Sequence, residues 1–279
     1  MIVFELNDHL KTGLAGAGAM STQVVSLMWL RTTVNYQYRT GYDMKTAFKH
    51  LYKEGGLRRF YRGVGPALIQ APMSRFGDTA TNSVAMSYLA PYDLPIWVKT
   101  SAASITAATW RLTLMPIDTL KTSLQVSGKE GTKLLRSKLI TSGPKVLFNG
   151  AAATFTAGLV GHYPWFVTYN TLDSRLPKYD SSQPLYYKLG RSAVIGFCAS
   201  LVSDTSSNAI RVCKTFKQTY HKQITYPQIV KKIVSEHSIY DLLFRGLRTK
   251  LISNGIQGMM FSVIWKQLQE MLNENNMTK

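Results

Sequence analysis

The amino-acid sequence predicts an all-α membrane protein of six transmembrane helices arranged as three tandem helical hairpins. Two stretches carry no charged residue, 12–30 and 149–172, and each is long enough to cross a bilayer. The motif Pro116-Ile117-Asp118-Thr119-Leu120-Lys121 recurs in altered form as Ser26-Leu27-Met28-Trp29-Leu30-Arg31 and Ala209-Ile210-Arg211-Val212-Cys213-Lys214, at the roughly 90-residue spacing of a tandem repeat. An aromatic-x-Gly landmark follows each motif by about 30 residues: Tyr61-Arg62-Gly63, Phe148-Asn149-Gly150 and Phe244-Arg245-Gly246.

Composition narrows the function classes. The 279 residues carry a formal charge of +18, with a mean hydropathy of −0.06. So basic a chain suits an anionic partner. The basic residues are spread through connectors rather than gathered into a stripe with interleaved aromatics, which speaks against nucleic acid. No paired carboxylates, nucleophile triad or phosphate-cradling glycine loop is present, so enzyme chemistry has no support. Cys198 and Cys213 offer neither a disulfide framework nor a metal spacing. The segment Met1 to Asp8 holds Glu5 and Asp8 and does not read as a cleavable signal; targeting is expected to be internal.

Taken in order, the first span is expected over 10–34, its start narrowed by small residues from Gly13 to Ala19 that allow close helix approach. An amphipathic segment, Met44 to Lys53, stops at Glu54-Gly55-Gly56. The second span, Val64 to Leu89, contains Pro66 and Pro72 and allows a one-turn pair between Arg75 and Asp78. Ala90 to Pro95 is a tight connection. The third span, 96–126, is expected to kink at Pro116, which removes a backbone donor and clashes with the preceding turn. A Lys- and Gly-rich connector, 127–144, leads to the fourth span, 149–172, and a polar loop, 174–184, follows it. The fifth span covers 185–216, an amphipathic segment Pro227 to Val234 comes next, and the sixth span covers 247–271 ahead of a polar tail. The five tryptophans, Trp29, Trp97, Trp110, Trp165 and Trp265, suit membrane-interface anchors or partner contacts.

Both motifs together resemble the mitochondrial carrier family over nearly the whole chain. In that family each repeat is two membrane helices with a short matrix helix between, and three repeats, related by a pseudo-threefold axis, surround a central cavity. The resemblance divides the chain into repeats at 1–92, 93–180 and 181–279. It implies the mitochondrial inner membrane, termini toward the intermembrane space, no cofactor, and lipid contact with cardiolipin as a candidate bound lipid. The signature P-x-[D/E]-x-x-[K/R] is met in full by Pro116, Asp118 and Lys121. In the other repeats Met28 and Arg211 stand at the acid places, and Ser26 and Ala209 at the prolines. A matrix gate built on these positions would set Asp118 against Arg31, Lys121, Arg211 and Lys214, and one carboxylate cannot neutralise four cations. Gln125 and Gln218 match the family's glutamine brace, with Asn35 at that place in the first repeat. Counting from the landmark glycines puts the family's solute contacts at Gln70, Ala157 with Gly158, and Ser253, none charged. Arg111, Arg75, His162 and Lys250 are further cavity candidates, each with an ordinary packing or pairing role as its alternative. Two functions remain open. One is transport of an unusual solute, neutral or small, because a carrier of nucleotides, keto acids or phosphate is expected to place Arg or Lys at the solute-contact positions. The other is a transport-inactive building block held within a larger inner-membrane assembly such as a respiratory complex, with protein subunits as partners.

Overall fold

The structure, a computed structural model, describes residues 2–177, 185–258 and 260. Its elements are α1 (Ile2–Thr40), α2 (Met44–Phe60), α3 (Val64–Leu89), α4 (Ile96–Thr113), α5 (Met115–Ser127), α6 (Glu130–Ser142), a 3-10 turn (Pro144–Phe148), α7 (Ala151–Arg175), α8 (Leu185–Thr219), α9 (Tyr226–Glu236), α10 (Ile239–Phe244) and α11 over 247–258. The expectations placed on 178–184, on Trp265, on the end of the sixth span and on the tail lie outside the described residues, as do the side chains of 13–17 and Trp97.

Local chemistry sets the helix ends. Asp43 caps α2, its carboxylate accepting from the amides of Lys45 and Thr46. Gly55 and Gly56 leave helical geometry inside α2, as the glycine stop predicts, and one further helical turn carries the chain to Phe60. The chain breaks at Leu114, and Pro116 sits in the first turn of α5, where its missing N–H costs nothing. So the third span is two helices. The equivalent places without proline run unbroken: α1 is 39 residues long and α8 is 35. The Lys- and Gly-rich connector 127–144 holds α6, in the place where the family resemblance implies a short helix between the two membrane helices of a repeat. That helix lies so close on α5 that a Cβ at Gly131 would stand 2.2 Å from the Ser123 carbonyl.

The long helices form a closed ring, α1 against α3, α3 against α4, α4 against α7, and α7 against α8. The helix α11 completes the circuit, since Asn254 bonds Asp204 of α8 while Gln23 of α1 donates to the Gln257 carbonyl. Outward faces are apolar, with Ile69, Phe76 and Val84 on α3, Tyr163 on α7 and Val194 on α8 all exposed. Inward faces are polar, with Asp118, Thr122 and Ser253 buried at the central cavity. This division explains why none of the described helices is, by its own composition, long and apolar enough to cross a membrane. The polar half of each helix dilutes the apolar half that faces outward.

At one end of the ring the landmark glycines lock neighbouring repeats together. Gly63, Gly150 and Gly246 all adopt positive φ, at 87°, 91° and 66°. An added Cβ at Gly63 would meet the Lys121 carbonyl at 3.0 Å and Gln125 at 3.5 Å. At Gly150 it would meet Lys214 at 3.0 Å and Gln218 at 3.4 Å, and at Gly246 it would meet Tyr38 at 3.0 Å. Each repeat thus packs its landmark onto the odd helix of the next, and the third closes on the first.

Helix-end carbonyls follow the same cycle. Arg59 donates to the carbonyls of Gln125 and Val126 at 2.8 and 2.7 Å, Lys138 to that of Gln218 at 3.2 Å, and Arg245 to that of Tyr38 at 3.5 Å. Beneath them Val34, Tyr38, Val212, Phe216, Ile229, Ile233 and Leu242 make the largest buried apolar cluster among the described residues.

Candidate functional site

These contacts fix a register that the motif comparison alone misses. Tyr38, Gln125 and Gln218 occupy equivalent places, so Arg31 is equivalent to Asp118 and Arg211, and Val34 to Lys121 and Lys214. Thr32 donates to the Phe60 carbonyl at 2.6 Å just as Thr119 donates to that of Leu147 at 2.7 Å, and each acceptor lies three residues before a landmark glycine. The alignment of Met28 with Asp118 is therefore corrected by three residues. An α-helix nearly superposes positions three apart on one face, so the sequence pattern alone could not separate the two registers.

Asp118, buried on α5, is the centre of the site. Its carboxylate takes Lys121 at 2.8 Å on the same helix and Lys214 of α8 at 2.7 Å. Gln70 of α3 donates to it at 3.0 Å and accepts from Lys121 at 2.5 Å. Gln218 donates to it at 3.1 Å and to the Thr119 hydroxyl at 3.2 Å. Gln125 instead turns to α1, accepting from Asn35 at 2.6 Å. Charge-assisted bonds of this kind are the strong ones, and here they tie three helices to one carboxylate.

Two adjoining cavities open on this centre and share Asp118, Arg211 and Lys214. One, of about 310 Å³, is lined also by Arg31, Lys121, Lys250 and Ser253. The other, of about 290 Å³, is lined also by Gln70, Arg111, Ala157 and Gly158. All four positions counted from the landmark glycines thus face the cavities. They stand beside cations that the count did not reach.

Two carboxylates complete the picture. Asp78 receives Arg111 of α4 through two bonds, of 2.9 and 2.7 Å. This ion pair crosses the helix interface. A β-carbon at Gly77 would fall 1.6 Å from the Trp110 ring nitrogen, so the glycine lets α4 approach closely enough for that pair. His162 reaches the Ser104 hydroxyl at 2.8 Å. Asp204, missed in the sequence reading, is buried on α8, 3.7 Å from Arg211 and bonded to Asn254. Its signal was legible, since it lies seven residues before Arg211 and so two turns along the same face. No cluster of metal-ligating side chains occurs among the described residues.

A ring of helices closed repeat on repeat, with a polar, charged cavity along its axis, defines a class of membrane solute carriers. The family profile described as mitochondrial carrier protein matches residues 6–93 and 92–180, and the chain belongs to the mitochondrial carrier family. Members of that family are transporters of the mitochondrial inner membrane rather than enzymes. The chain is 24% identical over 267 residues to the calcium-dependent mitochondrial ATP-magnesium/phosphate carrier protein 2 of Arabidopsis thaliana, covering 88% of this chain and 52% of that protein. It is also 24% identical over 161 residues to the mitochondrial substrate carrier family protein D of Dictyostelium discoideum, covering 50% of this chain and 46% of that one. The chain thus spans about half the length of the curated relatives it matches.

Proposed function

We propose that the chain moves a small solute across the mitochondrial inner membrane through the paired cavities around Asp118. The observation that carries this reading is the polar cavity itself. A bundle kept only for packing has no need to hold five cationic side chains around one solvent-reachable space, because desolvated charge is costly. In this reading residues 1–92, 93–180 and 181–279 are three repeats, and the termini face the intermembrane space. Gln70, Ala157, Gly158 and Ser253 contact the solute. Asp118, Lys121 and Lys214, with Arg31 and Arg211, form the closure on the matrix side, with Gln218 and Gln125 bracing it. The Asp118–Lys214 bond joins α5 to α8 and is the one bridge between odd helices that this residue set supplies.

The test is uptake by liposomes holding the purified full chain, preloaded with unlabelled solute and assayed against a panel of labelled anions, zwitterions and neutral metabolites. Saturable uptake that Asp118→Asn weakens at least tenfold is the expected result. No uptake of any solute, together with stable co-migration of the native protein in a much larger assembly, would overturn transport in favour of a building-block role.

A further inference from the structure

We infer that the 310 Å³ cavity is a site for a small dianion, whose charge takes the place of carboxylates missing from the ring, so that the bound solute itself completes the closure. This inference rests on the carrier reading for its meaning in transport but not for the binding itself. The packing register puts Arg31, Asp118 and Arg211 at three equivalent places, one carboxylate where the symmetry of the ring offers three. Five cations face this cavity: Arg31, Lys121, Arg211, Lys214 and Lys250. Asp118 serves Lys121 and Lys214, and Asp204 stands near Arg211.

Arg31 has no carboxylate among the described ion pairs, and Lys250 has only the more distant charge of Asp204, which already stands by Arg211. Among the described residues the guanidinium of Arg31 is held by amide oxygens, Gln257 at 2.7 Å and Gln23 at 3.4 Å. Those bonds orient its planar fork, which suits two-pronged recognition of a carboxylate or phosphate, while Lys250 adds a point charge. Unmatched like charges gathered around one cavity repel, and an anion entering the site removes that repulsion. The volume lies at the small end of ligand pockets, about 300–1,000 Å³, which favours inorganic phosphate or a short dicarboxylate over larger anions. Ser253 and Gln257 supply further polar atoms to such a guest.

The experiment follows thermal unfolding of the full chain in mild detergent, titrated with inorganic phosphate, succinate or chloride at matched ionic strength. Phosphate or succinate should raise the melting temperature saturably, chloride should not, and the phosphate and succinate arms separate the two kinds of dianion. Arg31→Gln and Lys250→Gln should each weaken the effect at least tenfold in apparent Kd. Arg31→Lys, which keeps the charge and loses the fork, should fold and bind more weakly than wild type. Arg31→Glu supplies the carboxylate directly, so it should melt higher than wild type without added anion and no longer respond to dianions. A response shared equally by chloride, or a dianion effect that survives in Arg31→Gln and Lys250→Gln, would overturn the inference. So would an Arg31→Glu variant less stable than wild type. Dianion stabilisation without uptake into liposomes would leave this site standing and remove the carrier reading. Uptake of a solute without dianion stabilisation would do the reverse.

Discussion

At the scale of single residues, the cation with the clearest electrostatic consequence outside the membrane spans is Lys138 on α6. It is buried, donates to the Gln218 carbonyl, and is pushed down to about 8, first by burial and then by the nearby Arg39 guanidinium. The unfolded value is 10.5, so between pH 8 and 10.5 the folded chain binds fewer protons than the unfolded one. Stability should therefore rise with pH across that window, the cost being present in full below it. The melting-temperature difference between wild type and Lys138→Met should shift in favour of wild type from pH 8 to pH 10. A flat or opposite trend would mean that the ammonium is well solvated. Gly77 makes the second residue-scale prediction. An alanine there collides with Trp110 and breaks its bond to the Met73 carbonyl, 3.1 Å long. Overpacking of this kind costs about 1–3 kcal/mol. The melting temperature of Gly77→Ala should fall by roughly 2–4 °C per kcal/mol. An unchanged melting temperature would place Trp110 elsewhere.

At the scale of elements, helix ends are held by side chains from the preceding repeat. Arg59 is nearly fully buried, anchored by Glu54 at 2.5 Å, and satisfies two terminal carbonyls of α5. Replacing it with Met leaves those acceptors bare, at about 1–3 kcal/mol each when no water replaces the donor. Arg59→Met should speed amide exchange around residues 124–128 before it affects α7, whereas uniform loosening would show that the cap is not local. Much at this scale was legible in sequence. Val64–Leu89 was read with both its ends, and the glycine stop in α2 and the proline break before α5 were read from residues with hard backbone constraints. What was missed depended on softer signals. The helix α6, implied by the family resemblance, was hidden from the residue pattern itself by its glycines and lysines, and Asp78 pairs with a residue of another helix because Gly77 brings that helix close. The site was half legible. Gln70, Ala157, Gly158 and Ser253 do line cavities, and Asp204 was legible from its seven-residue spacing to Arg211, but the register of Arg31 needed the contacts of other repeats to become visible.

At the scale of the whole molecule, stability depends on the circle being closed. Gly63 against α5, Gly150 against α8 and Gly246 against α1 are the same joint made three times, and in a closed ring opening one is expected to loosen the other two. Substituting alanine at any of the three forces a side chain into positive φ, where non-glycine residues pay roughly 1 kcal/mol or more. It also pushes that side chain against atoms about 3.0 Å away. Each single variant should therefore lose comparable stability, although the neighbours differ: a lysine carbonyl, a lysine side chain and a tyrosine ring. The sharper expectation concerns pairs. The three glycines are far apart in the chain and share no partner, so independent joints would give additive losses. In a closed ring the first break relieves the constraint at the second. Gly63→Ala with Gly246→Ala should then cost less than the two single losses combined, by about 0.5 kcal/mol or more. Strict additivity in a thermal double-mutant cycle would mean that the three repeats stand as separate hairpins, each held by its own packing and not by the circle.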